Sequence, residues 1–314
     1  MGKWMWTKLP IQASTAAAAG TQVTWNLPKS NFICLIHFYL WGTGNTETID
    51  VAHAVTRMMV IGNGDRMLYN TSGLQNRALD LFLDGTPLWL ANNAGGATGV
   101  DHLIYFGRCQ YDKQVILPAK IFSTLQLILQ LVAVNGAGHW NASGCCLWGE
   151  VLQYVSDDSP VDKLCVKTTT TEEGIATAAA GFVYSQLPLG HKYKSLLFYC
   201  SGTDGTAVTD IRLEFNNGSE VPFDRAWEMI RNYNFSVLDL VDDVSGVAGT
   251  AHVREAHWAF HEFDPGRGMM GGAEAGAITE CPDSGLLNDA RLVFSVGQAA
   301  QTIDVTLQEY VSLA

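Results

Sequence analysis

The sequence predicts an all-β protein of two homologous β-sandwich halves in tandem, with a few short helices. The main observation is a repeated pair of strand-like runs. Thr124-Leu125-Gln126-Leu127-Ile128-Leu129-Gln130-Leu131 resembles Asp289-Ala290-Arg291-Leu292-Val293-Phe294-Ser295-Val296, and Val151-Leu152-Gln153-Tyr154-Val155 resembles Leu307-Gln308-Glu309-Tyr310-Val311. The second pair is offset by 311 − 155 = 156 residues, about half of the 314, as a duplicated domain requires. Shorter echoes follow in the same order. Thr15 to Gly20 returns as Thr177 to Gly181, Leu27-Pro28 as Leu187-Pro188, Gly42-Thr43-Gly44 with Thr46 as Gly202-Thr203-Asp204 with Thr206, and Asn63-Gly64 as Asn217-Gly218. Their collinearity, more than any one match, argues for duplication.

Composition sets the class. With 47% hydrophobic and 16% charged residues the chain can bury a large core. No run of about 18 apolar residues is present to span a membrane, and Met1 to Trp6 lacks the apolar stretch of a secretory signal. Assembly in a cytoplasm is therefore expected. Seven cysteines without a Cys-x-x-Cys argue against a disulfide framework or a structural zinc site. A formal charge of −12 and no basic cluster with interleaved aromatics argue against direct binding of nucleic acid.

Taken in order, Trp4-Met5-Trp6 between Lys3 and Lys8 reads as a tail that packs over a neighbouring subunit; contact with a lipid surface is the alternative. Phe32 to Trp41 is apolar on both faces and reads as a doubly buried strand, followed by a turn at Gly42 to Thr46. Val51 to Ile61 alternates and ends at Asn63-Gly64, a hairpin signal. Asn70-Thr71-Ser72-Gly73 can cap a short helix over Leu74 to Leu81. Ala91 to Gly99 is a Gly-rich loop; Asp101 to Gln110 and Thr124 to Val134 are strands separated by Leu117-Pro118. Asn135 to Gly144 is a turn-rich connection before a strand from Cys146 to Val155.

Asp157-Asp158-Ser159-Pro160 marks the boundary between domains 1–156 and 157–314. Beyond it, strands are expected at Leu196 to Cys200 and Val208 to Phe215, with turns at Gly202 to Thr206 and Asn216-Asn217-Gly218. A helix is expected over Phe223 to Tyr233, where Phe223, Trp227 and Ile230 have helical spacing. Strands at Phe235 to Val241 and Val253 to Phe263 precede a glycine-rich loop, Gly266 to Gly276.

Candidates for chemistry are few. His252, His257 and His261 with Glu262 form the densest set of possible metal ligands, and on a strand only His257 and His261 share a face. A duplicated jelly roll with such a cluster raises the two-domain cupin enzymes, but their His-x-His motif is absent, and ordinary hydrogen-bonded histidines are the favoured reading. The adjacent carboxylates Asp157-Asp158, Glu172-Glu173 and Asp242-Asp243 point apart when extended and read as solvated loop charges. Oxygen-rich loops could hold structural calcium at subunit contacts, although no twelve-residue calcium loop is present. Neither a catalytic motif nor a cofactor motif is assigned.

Strand-rich halves with Gly/Asn turns and a few long loops fit β-sandwiches better than propellers or solenoids. The duplicated runs, the length and the lack of a catalytic motif resemble the double jelly-roll major capsid proteins of tailless icosahedral viruses, notably membrane-containing bacteriophages. That resemblance implies a structural, non-enzymatic subunit of the virion, with two jelly rolls per chain ending at Val155 and Val311. It implies pseudo-hexagonal homotrimers that tile the shell, with neighbouring trimers, vertex (penton) and minor capsid proteins as partners. An internal lipid membrane would be met by the N-terminal tail. Two other readings make different demands: a bicupin-like metalloenzyme would bind metal at His257 and His261, and a carbohydrate-binding sandwich would expose aromatics such as Trp140, Trp148 and Trp258.

Overall fold

A computed structural model describes residues 2–11, 22–44, 54–84, 97–131, 140–156, 164–184, 187–201, 207–238, 258–264, 278, 281–299 and 301–313. Contacts divide the chain into two compact units, with the boundary inside one strand between Thr168 and Thr169; Ser312 and Leu313 count with the first unit. The polar stretch 157–163, expected to separate the halves, lies outside the described residues.

The first unit contains β1 (Lys3–Lys8), β2 (Gln22–Asn26), β3 (Phe32–Gly44), β4 (Val55–Gly62), β5 (Arg66–Thr71), α1 (Gly73–Asp84), β6 (Ala97–Tyr105), β7 (Leu117–Pro118), β8 (Leu125–Leu131) and β9 (Trp140–Val155). Its strands run in the orders β1-β9-β3-β6, with the short β7 also on β3, and β2-β8-β4-β5. The second unit contains most of β10 (Leu164–Ile175), β11 (Ala179–Tyr184), β12 (Lys192–Cys200), β13 (Val208–Phe215), β14 (Glu220–Ala226), α2 (Trp227–Leu238), β15 (Trp258–Glu262), β16 (Ala290–Val296) and β17 (Gln301–Ser312). Here the orders are β10-β17-β12-β15 and β11-β16-β13-β14. Replacing β1, β2, β3, β4, β5, β6, β8 and β9 by β10 to β17 in sequence converts the first pair of orders into the second. The helix falls between the fifth and sixth strands both times. Each unit is thus an eight-stranded jelly roll, and the fold is a duplicated one.

The echoes in the sequence land on counterpart strands. Thr124 to Leu131 leads into β8 and Asp289 to Val296 into its counterpart β16, while Val151 to Val155 lies in β9 and Leu307 to Val311 in β17. Burial explains why they persisted. In β8 every second residue is buried, and Leu127 and Leu129 are fully inaccessible. A one-residue slip would turn this whole set outward, so the pattern pins the register. In the second unit one cluster joins Leu196, Phe198, Ile211, Leu213, Leu292, Phe294, Val305 and Leu307 from both sheets.

Local signals worked where the backbone demanded special residues. The β4–β5 connection places Asn63 and Gly64 at positive φ, 55° and 84°. Ser72 Oγ accepts the Gln75 N–H at 3.2 Å and caps α1. β3 is buried on both faces from Phe32 to Ile36, and alternates from His37 to Trp41.

Other expectations need correction. The N-terminal residues are β1, an edge strand hydrogen-bonded to β9, with Trp4 packed 5.3 Å from Tyr111 and 5.0 Å from Tyr154 between ring centroids. They are not a detached tail. Residues 42–44, 97–99 and 140–144, read as turn or loop, extend β3, β6 and β9 because each pairs along a long neighbour; 45–46, 91–96 and 135–139 lie outside the described residues. In the second unit Phe223 ends up in β14, and the helix starts only at Trp227. Phe223, Trp227 and Ile230 still reach one core, which is why their spacing mimicked a helix. Helix α2 continues to Leu238 where a strand was expected from Phe235. Strands β10 and β11 were not anticipated. The loops Gly202 to Thr206 and Gly266 to Gly276, and residues 253–257, lie outside the described residues.

Candidate functional site

Of the histidine set, His252 and His257 lie outside the described residues. His261 sits on β15 opposite Leu196, with its ring 4.5 Å from that of Phe223 and 4.6 Å from that of Phe263. Burial, helped by the nearby Arg225 charge, pushes its pKa down to about 4. Glu262 points to the other face of the strand, where its carboxylate lies 3.9 Å from Lys194 Nζ. The structure therefore does not bring His261 and Glu262 together. Among the described residues no group of three His, Cys, Asp or Glu side chains could hold a metal ion. His261 is set in aromatic packing.

Trp258 is 2% exposed and belongs to the interior, with its ring 4.6 Å from that of Tyr199. Trp148 is 39% exposed. It lies on the outer face of the β1-β9-β3-β6 sheet. Strand register builds this face: Glu150 of β9 is opposite His37 of β3, Trp148 opposite Tyr39, and Cys146 opposite Trp41, while Asp101 of β6 pairs with Tyr39. Tyr39 and Trp148 stack with centroids 5.6 Å apart and planes 16° apart, and Trp41 lies 6.5 Å from Trp148. Gly99 makes room for this, since a Cβ there would fall 1.9 Å from Tyr39 Oη.

Beside the aromatic strip, His37 bridges two acids. Its Nε2 is 2.7 Å from Asp101 Oδ1 and its Nδ1 is 3.1 Å from Glu150 Oε1. The hydrogen bond to Asp101 raises the His37 pKa against the opposing effect of burial, and Glu150 adds to the rise. A protonated ring would satisfy both carboxylates at once. The sequence alone does not single out this group because His37 sits within an apolar run; the alternation His37-x-Tyr39-x-Trp41 against Trp148-x-Glu150 was the available signal. On the inner face, His102 is fully buried, stacked 4.8 Å from Phe38 and 3.4 Å from Asn76 Nδ2, and burial pushes its pKa down to about 3.

Six strands end the described sheet orders, β1, β6, β2, β15, β11 and β14, and β1 and β14 are two of them. Among the described residues no strand flanks the outer edge of β1 or of β14. On β1, Met5 and Trp6 are 39% and 41% exposed between the exposed Lys3 and Lys8; β14 exposes Glu220, Val221, Pro222 and Asp224. Sheet edges of this kind offer unused backbone donors and acceptors to another chain.

No family model and no curated protein matches the chain. Solved structures do. The major capsid protein of STIV, the Sulfolobus turreted icosahedral virus, is similar at a TM-score of 0.74 and 13% identity, over 99% of this chain and 97% of that one. The major capsid protein of bacteriophage PM2 is similar at 0.60 and 12%, over 100% and 99%. A chain of the PBCV-1 virus capsid is similar at 0.64 and 12%, over 99% and 94%. Likeness over the full length of chains this different in sequence is likeness of fold: this chain has the double jelly-roll fold found in those capsid proteins.

Proposed function

We propose that the chain is a major capsid subunit that forms pseudo-hexagonal homotrimers tiling an icosahedral virus shell. The observation that carries this reading is the match of both jelly rolls at once. The likeness covers this chain and the neighbouring capsid chains almost end to end, so it does not rest on one common sandwich domain. Duplication supports the same role, because three copies of a two-roll chain present six similar sides to hexagonally arranged neighbours.

The partners under this reading are further copies of the chain and the proteins that occupy the vertices. The protein would be made in the host cytoplasm and reside in the virion. Contact with an internal membrane would be made by edge side chains of β1 such as Met5 and Trp6 rather than by a tail. The acidic balance, −12 overall, suits a shell that does not itself wrap the genome. Negative-stain images of the purified chain test the reading: particles of hexagonal outline support it, and isolated monomers at all concentrations contradict it.

A further inference from the structure

Lys194 is the one buried lysine among the described residues, 1% exposed, and it lies within the second unit beside a carboxamide and a carboxylate. Strand register assembles the group. Ser195 of β12 stands opposite Gln308 of β17 on one side and opposite Glu262 of β15 on the other. Between Tyr193 and Ser195 the register of β12 on β17 shifts, and this bulge brings two successive side chains to one target. Lys194 Nζ and Ser195 Oγ each donate to Gln308 Oε1 at 2.8 Å. Glu262 Oε1 lies 3.9 Å from Lys194 Nζ. Ser195 and Gln308 are buried as well. An amine is thus held against a polarised carboxamide, with a base in reach and bulk water excluded.

We propose that Lys194 and Gln308 join in an intramolecular isopeptide bond that staples β12 to β17. Glu262 takes a proton from the Lys194 ammonium, a transfer that burial favours because two neutral groups cost less in a dry site than two charges. The amine lone pair attacks Gln308 Cδ, and the carbonyl electrons move to Oε1, where the Ser195 hydroxyl stabilises the oxyanion. As the carbonyl re-forms, the Cδ–Nε2 bond breaks. Nε2 leaves as ammonia with a proton that the attacking nitrogen gives up, and carries off the proton held by Glu262 as ammonium. An ammonium and a primary amide thereby become a secondary amide and an ammonium ion, with no oxidant or co-reactant. Fixed proximity supplies what a free amine and amide in water lack. The bond spans 114 residues of sequence, so it restricts the unfolded chain as a long-range disulfide does.

The intact mass of the wild-type chain, measured in denaturant after purification in the folded state, tests this directly. It should fall short of the sequence mass by one ammonia, and a protease digest should yield a branched peptide joined at Lys194 and Gln308. Lys194→Met should show its full sequence mass and a lower unfolding midpoint. Glu262→Gln should slow closure by about a hundredfold or more, giving a mixture whose linked share grows on incubation. A folded wild-type chain of full sequence mass overturns the proposal. So does an ammonia loss that maps to Asn63-Gly64 or Asn217-Gly218 instead. Either result leaves the capsid reading standing, since the staple lies within one unit of one chain.

Discussion

Asn63 and Asn216 do the same work in the two halves. Asn63 donates its N–H to Thr124 O at 2.8 Å and accepts the Ser123 N–H on its side-chain oxygen at 2.7 Å. Asn216 donates to Asp289 O at 3.1 Å and accepts the Asn288 N–H at 2.9 Å. Their φ angles are 55° and 52°. Each ties a hairpin tip to the start of the strand that carries the repeated run, and each does so from a left-handed backbone that few residues other than Gly and Asn tolerate.

Replacing either by Ala removes the hydrogen bonding of its side chain, which at Asn63 includes the Ser123 hydroxyl as well as the Ser123 N–H, and strains the turn, so Asn63→Ala and Asn216→Ala should each cost about 1–3 kcal/mol. Denaturant unfolding checks this. Asn63→Gly relieves the strain and loses only the side-chain bonds, and should fall between wild type and Asn63→Ala.

Arg108 and Asp112 form a buried pair, with Arg108 Nε 2.8 Å from Asp112 Oδ2. Asp112 also accepts the N–H groups of Arg108, Gln114 and Val115, which fixes the bend after β6. Arg108→Met leaves a buried carboxylate without its cation. The expected loss is about 3–5 kcal/mol, read as a drop in the denaturation midpoint; a loss under about 1 kcal/mol would show that the pair is not closed in solution.

His261 should make the second unit acid-sensitive. Its folded pKa, about 4, lies below the 6.5 of an unperturbed ring. The unfolded chain therefore takes up a proton first as pH falls. The stability linked to this group is complete above 6.5 and is lost as pH drops from 6.5 to about 4, about 3 kcal/mol in all. His261→Phe, which suits the contacts with Phe223 and Phe263, should flatten the pH dependence of stability in that window. An unchanged slope would contradict the buried, neutral ring.

His37 should act with the opposite sign. Its folded pKa is raised, so the stability it contributes is fully present below 6.5 and is lost as pH rises through the raised value. His37→Gln should therefore cost most near pH 5 to 6 and least in alkaline buffer. Titration of the ring by NMR should give a midpoint above 6.5; a midpoint below it would mean that Asp101 and Glu150 do not hold the proton.

Much of the fold was legible because duplication repeats its own evidence. β8 and β16 keep an alternating pattern that a one-residue slip would ruin, and the hairpin asparagines are needed by the backbone. The correspondence was still one residue out at the tip. The sequence pairs Asn63 with Asn217, whereas the hydrogen bonds pair it with Asn216, because the loop between Phe215 and Glu220 is one residue longer than that between Gly62 and Arg66. β10 escaped notice because its apolar residues sit only at its two ends and its middle is a run of four threonines, where strand preference lies in β-branching rather than alternation. The His37 group was hidden by the apolar strand that carries it, since only pairing with β6 and β9 brings Asp101 and Glu150 to its ring. The edges of β1 and β14 depend on strand order, which no local pattern encodes.

The central claim is that this double jelly roll is a building block of a shell, and the most direct measurement is the solution mass of the purified chain by light scattering across a range of concentrations. The account predicts a discrete species of three times the chain mass that persists on dilution. A chain that stays monomeric at every concentration would contradict it.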